Sequence, residues 1–259
     1  MDNHKEKKEV LRLATFVGEL MLSSGAETCR IEDTVKRICA SRGFNHVNVF
    51  VAPATIIVSD DRFDGYTFMK VIKQRGINLN KVDMLNDFSR KFVANKDISV
   101  EEAIEEIKAI GDASQYSSLA VNLATAIGSS SFAVLAGGDD PLTFVLTLIT
   151  SILAMMVYDK VLAISKIPIF AILVSSIMIA ISGVFLTEIN ILKTPKMLIV
   201  GSIMPLLPGV PFIKAVRDLI SGELMSGLGR FFDAGIIATA IASGIGMIIN
   251  IYVKMGGTL

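Results

Sequence analysis

Charged residues and cysteines are both scarce in this chain. Lys, Arg, Asp and Glu make up 19% of its 259 residues, whereas a soluble globular domain typically has about 25%. The 25 basic and 25 acidic residues balance, so the basic excess that usually accompanies nucleic-acid binding is missing. Two cysteines exclude a disulfide scaffold. Neither histidine has a Cys or His neighbour at ligand spacing, and we therefore expect no metal site and no cofactor.

Apolar residues, in contrast, make up 52% of the chain, which excludes a disordered protein. Charge is also distributed unevenly along the sequence. Residues 1–115 contain 17 Lys and Arg and 18 Asp and Glu, whereas residues 116–259 contain only 8 and 7. We therefore predict an α-helical integral membrane protein, with a water-exposed N-terminal domain over residues 1–115 and a transmembrane helical domain over residues 116–259.

Local patterns within residues 1–115 predict a small α+β domain. Apolar residues at helical spacing and a capping box at Ser99 predict helices, and runs of alternating or β-branched residues predict strands. The helices are predicted over residues 6–22, 26–42, 79–94 and 99–110, and the strands over residues 47–51, 55–58 and 66–72. No secretory signal precedes this domain, so we expect it to be cytoplasmic.

About five apolar segments in residues 116–259 approach the roughly 20 residues needed to cross a bilayer. They cover residues 117–136, 142–158, 167–186, 197–207 and 234–253, and the fourth is short. Small residues are unusually frequent in the first segment, which is typical of closely packed membrane helices. A compatible alternative is that the polar residues of this segment line a path for a solute. These residues are Asn122, Thr125, Ser129, Ser130 and Ser131.

Three prolines and two glycines interrupt the apolar run over residues 201–211. Pro205, Pro208 and Pro211 each lack an amide donor, and backbone freed in this way is tolerated in a membrane only inside protein or beside water. Interrupted apolar segments of this kind point to the binding site of a transporter. We therefore predict an unwound segment that includes Pro208 and Gly209, followed by a helix that begins at Pro211.

The helix predicted after Pro211 has one apolar face and one charged face, which includes Arg217. The free amides at its amino terminus and the Arg217 guanidinium together suit a carboxylate. The alternative is an amphipathic helix that lies on the inner membrane surface. Asp218 and Asp233 are candidates for proton coupling, or for pairing with nearby arginines such as Arg230.

A second charged motif covers residues 25–32 in the N-terminal domain. Glu27 and Arg30 lie three residues apart, a spacing typical of ordinary ion pairs on a solvated helix face. The alternative is a gating or docking contact with the membrane domain. The candidate substrate-binding residues are therefore Asn122, Ser129, Ser130, Pro208, Gly209, Pro211 and Arg217, and the candidate gating or proton-coupling residues are Glu27, Arg30, Glu32, Asp218, Arg230 and Asp233.

Both charged motifs resemble signatures of the threonine/serine exporter family, specifically of its N-terminal module. Residues 25–32, Gly-Ala-Glu-Thr-Cys-Arg-Ile-Glu, resemble the cytosolic signature of that family. Residues 208–211, 217–223 and 226–230 resemble its membrane signature. The resemblance extends over about residues 8–253, because the five-segment apolar pattern lies between the two motifs.

The resemblance implies a bacterial inner-membrane protein, embedded in lipid, that exports small hydroxy amino acids. A related branch of the family exports dicarboxylates such as succinate, and there a larger subunit of this type pairs with a small one. Fused members carry a second, shorter hydrophobic half that this chain lacks. We therefore expect a small four-span partner subunit or a homo-oligomer. The sequence does not decide between amino acid and dicarboxylate, because both present a carboxylate to the same kind of helix end.

Two other classes of function compete with transport. A membrane-tethered hydrolase needs a nucleophile and a base, but the N-terminal domain has no Gly-x-Ser-x-Gly motif, metal cluster or P-loop, and we therefore expect no enzyme activity. The missing half leaves a non-transporting regulatory or scaffold subunit as the remaining alternative. The lack of a Walker sequence disfavours ATP as the energy source and favours the proton gradient.

Overall fold

The computed structural model describes residues 2–62, 65–73, 76–113, 116–138 and 140–257. Its internal contacts divide the chain into two compact units. The first unit comprises residues 1–114 and 212–231, and the second comprises residues 115–211 and 232–259. The segment that follows the proline-interrupted run therefore belongs to the first unit, together with the N-terminal residues.

Helices and a small sheet build the N-terminal part of the first unit. Its elements are α1 (Asp2–Ser23), α2 (Thr28–Ser41), β1 (Val47–Ala52), β2 (Thr55–Asp60), β3 (Thr67–Val71), α3 (Leu79–Ala94) and α4 (Val100–Asp112). The sheet is antiparallel with the strand order β1-β2-β3. Each helix and strand predicted in this region is present, with boundaries that differ by a few residues.

One cluster of buried apolar side chains fills the first unit. Helix α1 contributes Leu13 and Val17, α2 contributes Ile31 and Ile38, and strand β2 contributes Ile56. On the two helices these positions follow helical spacing, so each helix presents one apolar stripe to the core and leaves its charged face outside.

The part of the second unit that the structure describes is helical. Its elements are α5 (Ser118–Leu135), α6 (Pro141–Ser165), α7 (Pro168–Glu188), α8 (Lys196–Ser202) and a 3-10 turn (Met204–Leu206), followed by α9 (Gly209–Ile220) and α10 (Leu224–Lys254), which both have residues in each unit. Three helices, α6, α7 and α10, are long and apolar enough to cross a membrane. The broken pair Lys196–Leu206 and Gly209–Ile220 makes a fourth candidate span. The apolar part of α5 is shorter. The structure is thus mostly helical, with three or four candidate spans by length and composition.

The proline-interrupted run is broken in the structure, but its boundaries differ from the prediction. Helix α9 begins at Gly209, two residues before Pro211. Pro211 is accommodated because the first amides of a helix have no intrahelical partner in any case. Gly222, with φ at 88°, forms the turn between α9 and α10. Gly227 lies inside α10.

Small residues allow the helices of the second unit to pack closely. A Cβ atom added to Gly201 of α8 would lie 2.6 Å from Cβ of Ala133 on α5 and 2.8 Å from Cγ2 of Thr147 on α6. A Cβ atom added to Gly183 of α7 would lie 3.0 Å from Cγ1 of Ile199 on α8. Any larger residue at these two glycines would push the helices apart.

Candidate functional site: an ion-pair cluster between two motifs

The first unit brings the two charged motifs of the sequence into contact. Gly25 has φ at 81°, a left-handed conformation that favours glycine, and it turns the chain between α1 and α2. The turn leaves the carbonyls of Gly25 and Ala26 as acceptors. The Lys214 ammonium donates to the Gly25 carbonyl, and Nη2 of Arg230 donates to the Ala26 carbonyl at 3.3 Å.

The ion-pair cluster consists of Glu27, Arg217, Asp218 and Arg230, and helix α9 contributes to it from one of its faces. Lys214, Arg217 and Asp218 lie three and four residues apart, which places their side chains on the same side of the helix. Nη1 of Arg217 lies 2.7 Å from Oε1 of Glu27, the residue that precedes α2. The Arg217 side chain is 61% exposed, so water can reach this ion pair.

Asp218 is the buried centre of the cluster, because its side chain has no exposure to solvent. Its Oδ2 lies 3.2 Å from Nε of Arg230 and accepts a 3.4 Å hydrogen bond from Oγ1 of Thr28. Its Oδ1 has no hydrogen-bond partner in the described part of the chain. A buried carboxylate is costly unless charge and hydrogen bonds compensate for lost hydration. The charge of Arg230 therefore compensates for the burial of the Asp218 carboxylate. Oδ1 of Asp218 can still accept a proton.

Two close approaches hold the start of α10 against the first unit. Oγ of Ser226 donates a buried 3.0 Å hydrogen bond to the carbonyl of Val51 on β1. A Cβ atom added to Gly229 would lie 2.7 Å from Cγ of Pro53, in the turn between β1 and β2. The first turns of α10 thus pack against the β1–β2 hairpin, and this packing positions Arg230 beside Asp218.

A second acidic group borders the cluster on α2. Burial raises the pKa of Glu32, and the negative charge of Glu223 raises it further, against the opposing effect of Lys36. Glu32 therefore releases its proton at a higher pH than an ordinary glutamate. Arg30, on the same helix, is exposed to solvent.

The remaining predicted site residues lie in the second unit. Pro208 separates the 3-10 turn from α9, whose first turn contains Gly209 and Pro211. Asn122 is half-buried on α5, and Asp233 is exposed on α10. Ser129 and Ser130 are buried on α5, and each donates a 2.9 Å hydrogen bond to a carbonyl one turn earlier in its own helix.

The structure thus brings Glu27, Arg217, Asp218 and Arg230 together, and it adds two residues that the sequence did not single out as site residues. Lys214 and Thr28 both contact the cluster. Lys214 lies three residues from Arg217 on the same helical face, so helical spacing would have found it. Thr28 lies inside the motif of residues 25–32, but no local pattern assigns it a partner 190 residues away. Among the described residues, no group of three or more His, Cys, Asp or Glu side chains is placed to hold a metal ion.

Comparison with known proteins gives a consistent family assignment. The chain matches the model of the ThrE family, whose description names a threonine/serine exporter, over residues 12–252. Two similar proteins are named "Probable succinate transporter subunit YjjP": that of Klebsiella aerogenes is 26% identical over 95% of both chains, and that of Escherichia coli is 25% identical over 96% of both. The "Threonine/serine exporter" of Corynebacterium glutamicum is 23% identical over 95% of this chain but 52% of its own length. No solved structure matches the chain.

Proposed function

Because the chain belongs to the threonine/serine exporter family, we propose that it is the large subunit of a proton-coupled secondary transporter that exports threonine and serine across the bacterial inner membrane. The observation that supports this most directly is the ion-pair cluster. It joins the two family-like motifs of the sequence in one structural unit, around a buried acid. In this proposal the first unit is cytoplasmic and the cluster acts as a gate.

The exposed ion pair of the cluster is suited to exchange with a substrate. The Arg217 guanidinium already donates a hydrogen bond to the Glu27 carboxylate. An incoming amino acid or dicarboxylate offers the same chemical group, and it can reach the guanidinium from solvent because the Arg217 side chain is 61% exposed. Arg217 then holds the substrate carboxylate, and the contact between α9 and the segment before α2 opens.

The buried part of the cluster is suited to respond to protons. A proton on Asp218 would remove the charge that holds Arg230, and α10 carries Arg230 before it continues as a candidate span. A change at Asp218 can therefore be transmitted along one helix. Glu32, whose pKa is raised, and Asp233 on α10 are the other proposed proton-coupling groups, and Arg30 is proposed to act in the gate.

Succinate export is the second candidate function, and the comparisons contain an observation in its favour. The two relatives named as succinate transporter subunits are similar to this chain over 95–96% of their own length, whereas the amino-acid exporter is similar over 52%. Their names also describe a subunit. We therefore propose that the chain acts with a small four-span partner subunit, or as a homo-oligomer.

Reconstitution in liposomes tests the transport proposal. The chain is assembled with and without its candidate partner, and the flux of labelled threonine, serine and succinate is followed under an imposed proton gradient. We expect proton-dependent flux of the amino acids that requires the partner or an oligomer. If no substrate of either class moves under any of these conditions, the proposal is wrong and a scaffold role is favoured instead.

Arg217→Ala tests the role of the cluster in that assay. We expect it to reduce flux by at least tenfold with unchanged expression, because the substrate carboxylate loses its cationic partner. Arg37→Ala is the matched control, since Arg37 is also an exposed arginine paired with an acid, Asp33. Equal flux in the Arg217→Ala variant and the control would remove Arg217 from the binding site.

A further inference from the structure

Three serines in the second unit are fully buried and have no hydrogen-bond partner in the described part of the chain. They are Ser151 on α6, Ser175 on α7 and Ser202 on α8, with 0%, 0% and 1% of their surfaces exposed. Buried polar groups in native proteins nearly always have a partner, so an unsatisfied group indicates water, a ligand or stored strain. Three such groups on neighbouring helices of one unit call for a common explanation.

Several other buried hydroxyls of this unit are satisfied by their own helix. Oγ1 of Thr147 donates to the Thr143 carbonyl at 2.7 Å, and Oγ of Ser176 donates to the Leu173 carbonyl at 2.8 Å. A serine in a helix can ordinarily make this bond to a carbonyl one turn earlier. Ser151, Ser175 and Ser202 do not make it, although it requires no other partner. Their hydroxyls are therefore available inside the unit.

Close contacts between the helices place the three serines at a similar depth. Gly183 of α7 lies against Ile199 of α8, and Gly201 of α8 lies against Thr147 of α6. Two residues join α6 to α7 and seven join α7 to α8, and both helix pairs are in contact, so consecutive helices are expected to run antiparallel. At 1.5 Å per residue from these contacts, Ser202, Ser151 and Ser175 fall within about 8 Å of each other along the helix axes.

The surroundings of the three serines carry no charge. Every Lys, Asp and Glu of the second unit that the structure describes is exposed, and its sequence contains no Arg. A hydroxyl both donates and accepts, so three hydroxyls can bind a carboxylate and an ammonium group at the same time. They cannot neutralise a net charge, and an uncompensated ion in an apolar interior is expensive.

We propose that Ser151, Ser175 and Ser202 form the substrate site within the helical bundle, and that the site selects a zwitterionic amino acid over a dicarboxylate. This inference rests on the proposed transport function and assigns its substrate class. The amino acid brings no net charge into the neutral bundle, whereas the succinate dianion brings two negative charges that no described side chain of the unit can balance.

Binding measurements on the full chain in lipid nanodiscs test this site, with L-serine, L-threonine and succinate as ligands. We expect the parent chain to bind the two amino acids more tightly than succinate. Each of Ser151→Ala, Ser175→Ala and Ser202→Ala should weaken amino-acid binding at least tenfold. Ser182→Ala on α7 is the matched control, because the Ser182 hydroxyl donates to the Met178 carbonyl, and its affinity should be unchanged.

Thermal unfolding separates binding from a structural role. Removing a buried hydroxyl that lacks a partner should leave the unfolding temperature unchanged or raised, whereas removing a structural hydroxyl lowers it. Unchanged amino-acid affinity in all three variants would overturn the site while leaving the transport proposal intact. Succinate binding that is stronger than amino-acid binding would overturn the substrate class. A parent chain that binds none of the three ligands would contradict the proposed function itself.

Discussion

Two buried aspartates of the first unit differ in the ion pairs and hydrogen bonds that their carboxylates make. Asp60, at the end of β2, lies 2.7 Å from the Lys7 ammonium and accepts hydrogen bonds from the Arg62 guanidinium and backbone amide. Asp218 forms an ion pair with Arg230, and one of its oxygens has no hydrogen-bond partner among the described residues. A saturated buried carboxylate stabilises a fold, whereas an unsaturated one is more easily changed. Asp60 is therefore a structural residue, and Asp218 is suited to a switch.

Asp60→Asn is expected to destabilise the first unit strongly. The substitution removes the carboxylate that faces the Lys7 ammonium, whose side chain is only 4% exposed. Breaking a buried ion pair on one side costs about 3–5 kcal/mol of unfolding free energy. Circular dichroism of the full chain in detergent at pH 7 measures the loss. The neighbouring Asp61→Asn is the control, because Asp61 is exposed and lies 3.8 Å from an exposed His46.

The effect of Asp60→Asn should depend on pH in a defined direction. Hydrogen bonds from Arg62, with a further contribution from Lys7, hold the pKa of Asp60 well below its usual range in spite of its burial. A carboxyl with a lowered folded-state pKa stabilises the fold above its unfolded pKa of about 3.9, and this stabilisation is lost as the pH falls through the folded value. The stabilities of parent and variant should therefore converge below about pH 4. A difference that stays constant down to pH 3 would contradict the role of the Asp60 charge.

At the scale of elements, α10 has two roles along its length. Its first turns belong to the first unit, where Ser226 and Gly229 contact the β1–β2 hairpin. Its later turns belong to the second unit and are apolar enough to cross a membrane. One continuous helix of 31 residues therefore packs on the β1–β2 hairpin at one end and is apolar enough to cross a membrane at the other.

Gly229→Ala should loosen the packing of α10 on the hairpin. The added Cβ would lie 2.7 Å from Cγ of Pro53, whose ring cannot rotate away. Overpacking of this kind typically costs about 1–3 kcal/mol. Gly235→Ala, on the same helix with no atom within 4 Å of the added Cβ, should be neutral or slightly stabilising, since alanine favours helices. Equal unfolding temperatures for the two variants would show that the close approach to Pro53 does not exist.

Local signals in the sequence predicted the elements better than their ends. The capping box at Ser99 is confirmed, because its two hydrogen bonds lie within four residues, with Glu102 as the other partner. The apolar segment predicted over residues 234–253 lies within α10, but the helix itself begins ten residues earlier, at Leu224. The helical turns of α10 before residue 234 contain Arg230. Their contacts with residues distant in the sequence stabilise them as helix. Hydropathy alone does not contain that information.

At the scale of the whole molecule, the sequence identified both halves of the cluster but not their contact. Each motif was recognised by its own charge pattern, and a gating contact was one of two interpretations of residues 25–32. The pairing of Glu27 with Arg217 spans 190 residues. Neither helical spacing nor hydropathy extends over such a separation, so only the folded chain shows which acid meets which base.

The pairing and the proposed substrate contact can be separated by exchanging the two charges. Glu27→Arg and Arg217→Glu each place like charges at 2.7 Å, and each should reduce export at least tenfold. The double variant restores the pair but leaves no cation at position 217 for the substrate carboxylate, so its flux should stay low. Arg217→Glu should change stability by less than about 1 kcal/mol, because the Arg217 side chain is 61% exposed, whereas Glu27→Arg should cost more, because the Glu27 side chain is only 19% exposed. The same reversal of Asp33 and Arg37, both on α2, should leave flux unchanged at every step. A double variant that recovers most of the flux would mean that Arg217 acts in the gate alone, since a gate built on mutual attraction works in either polarity while a carboxylate site requires the cation on α9.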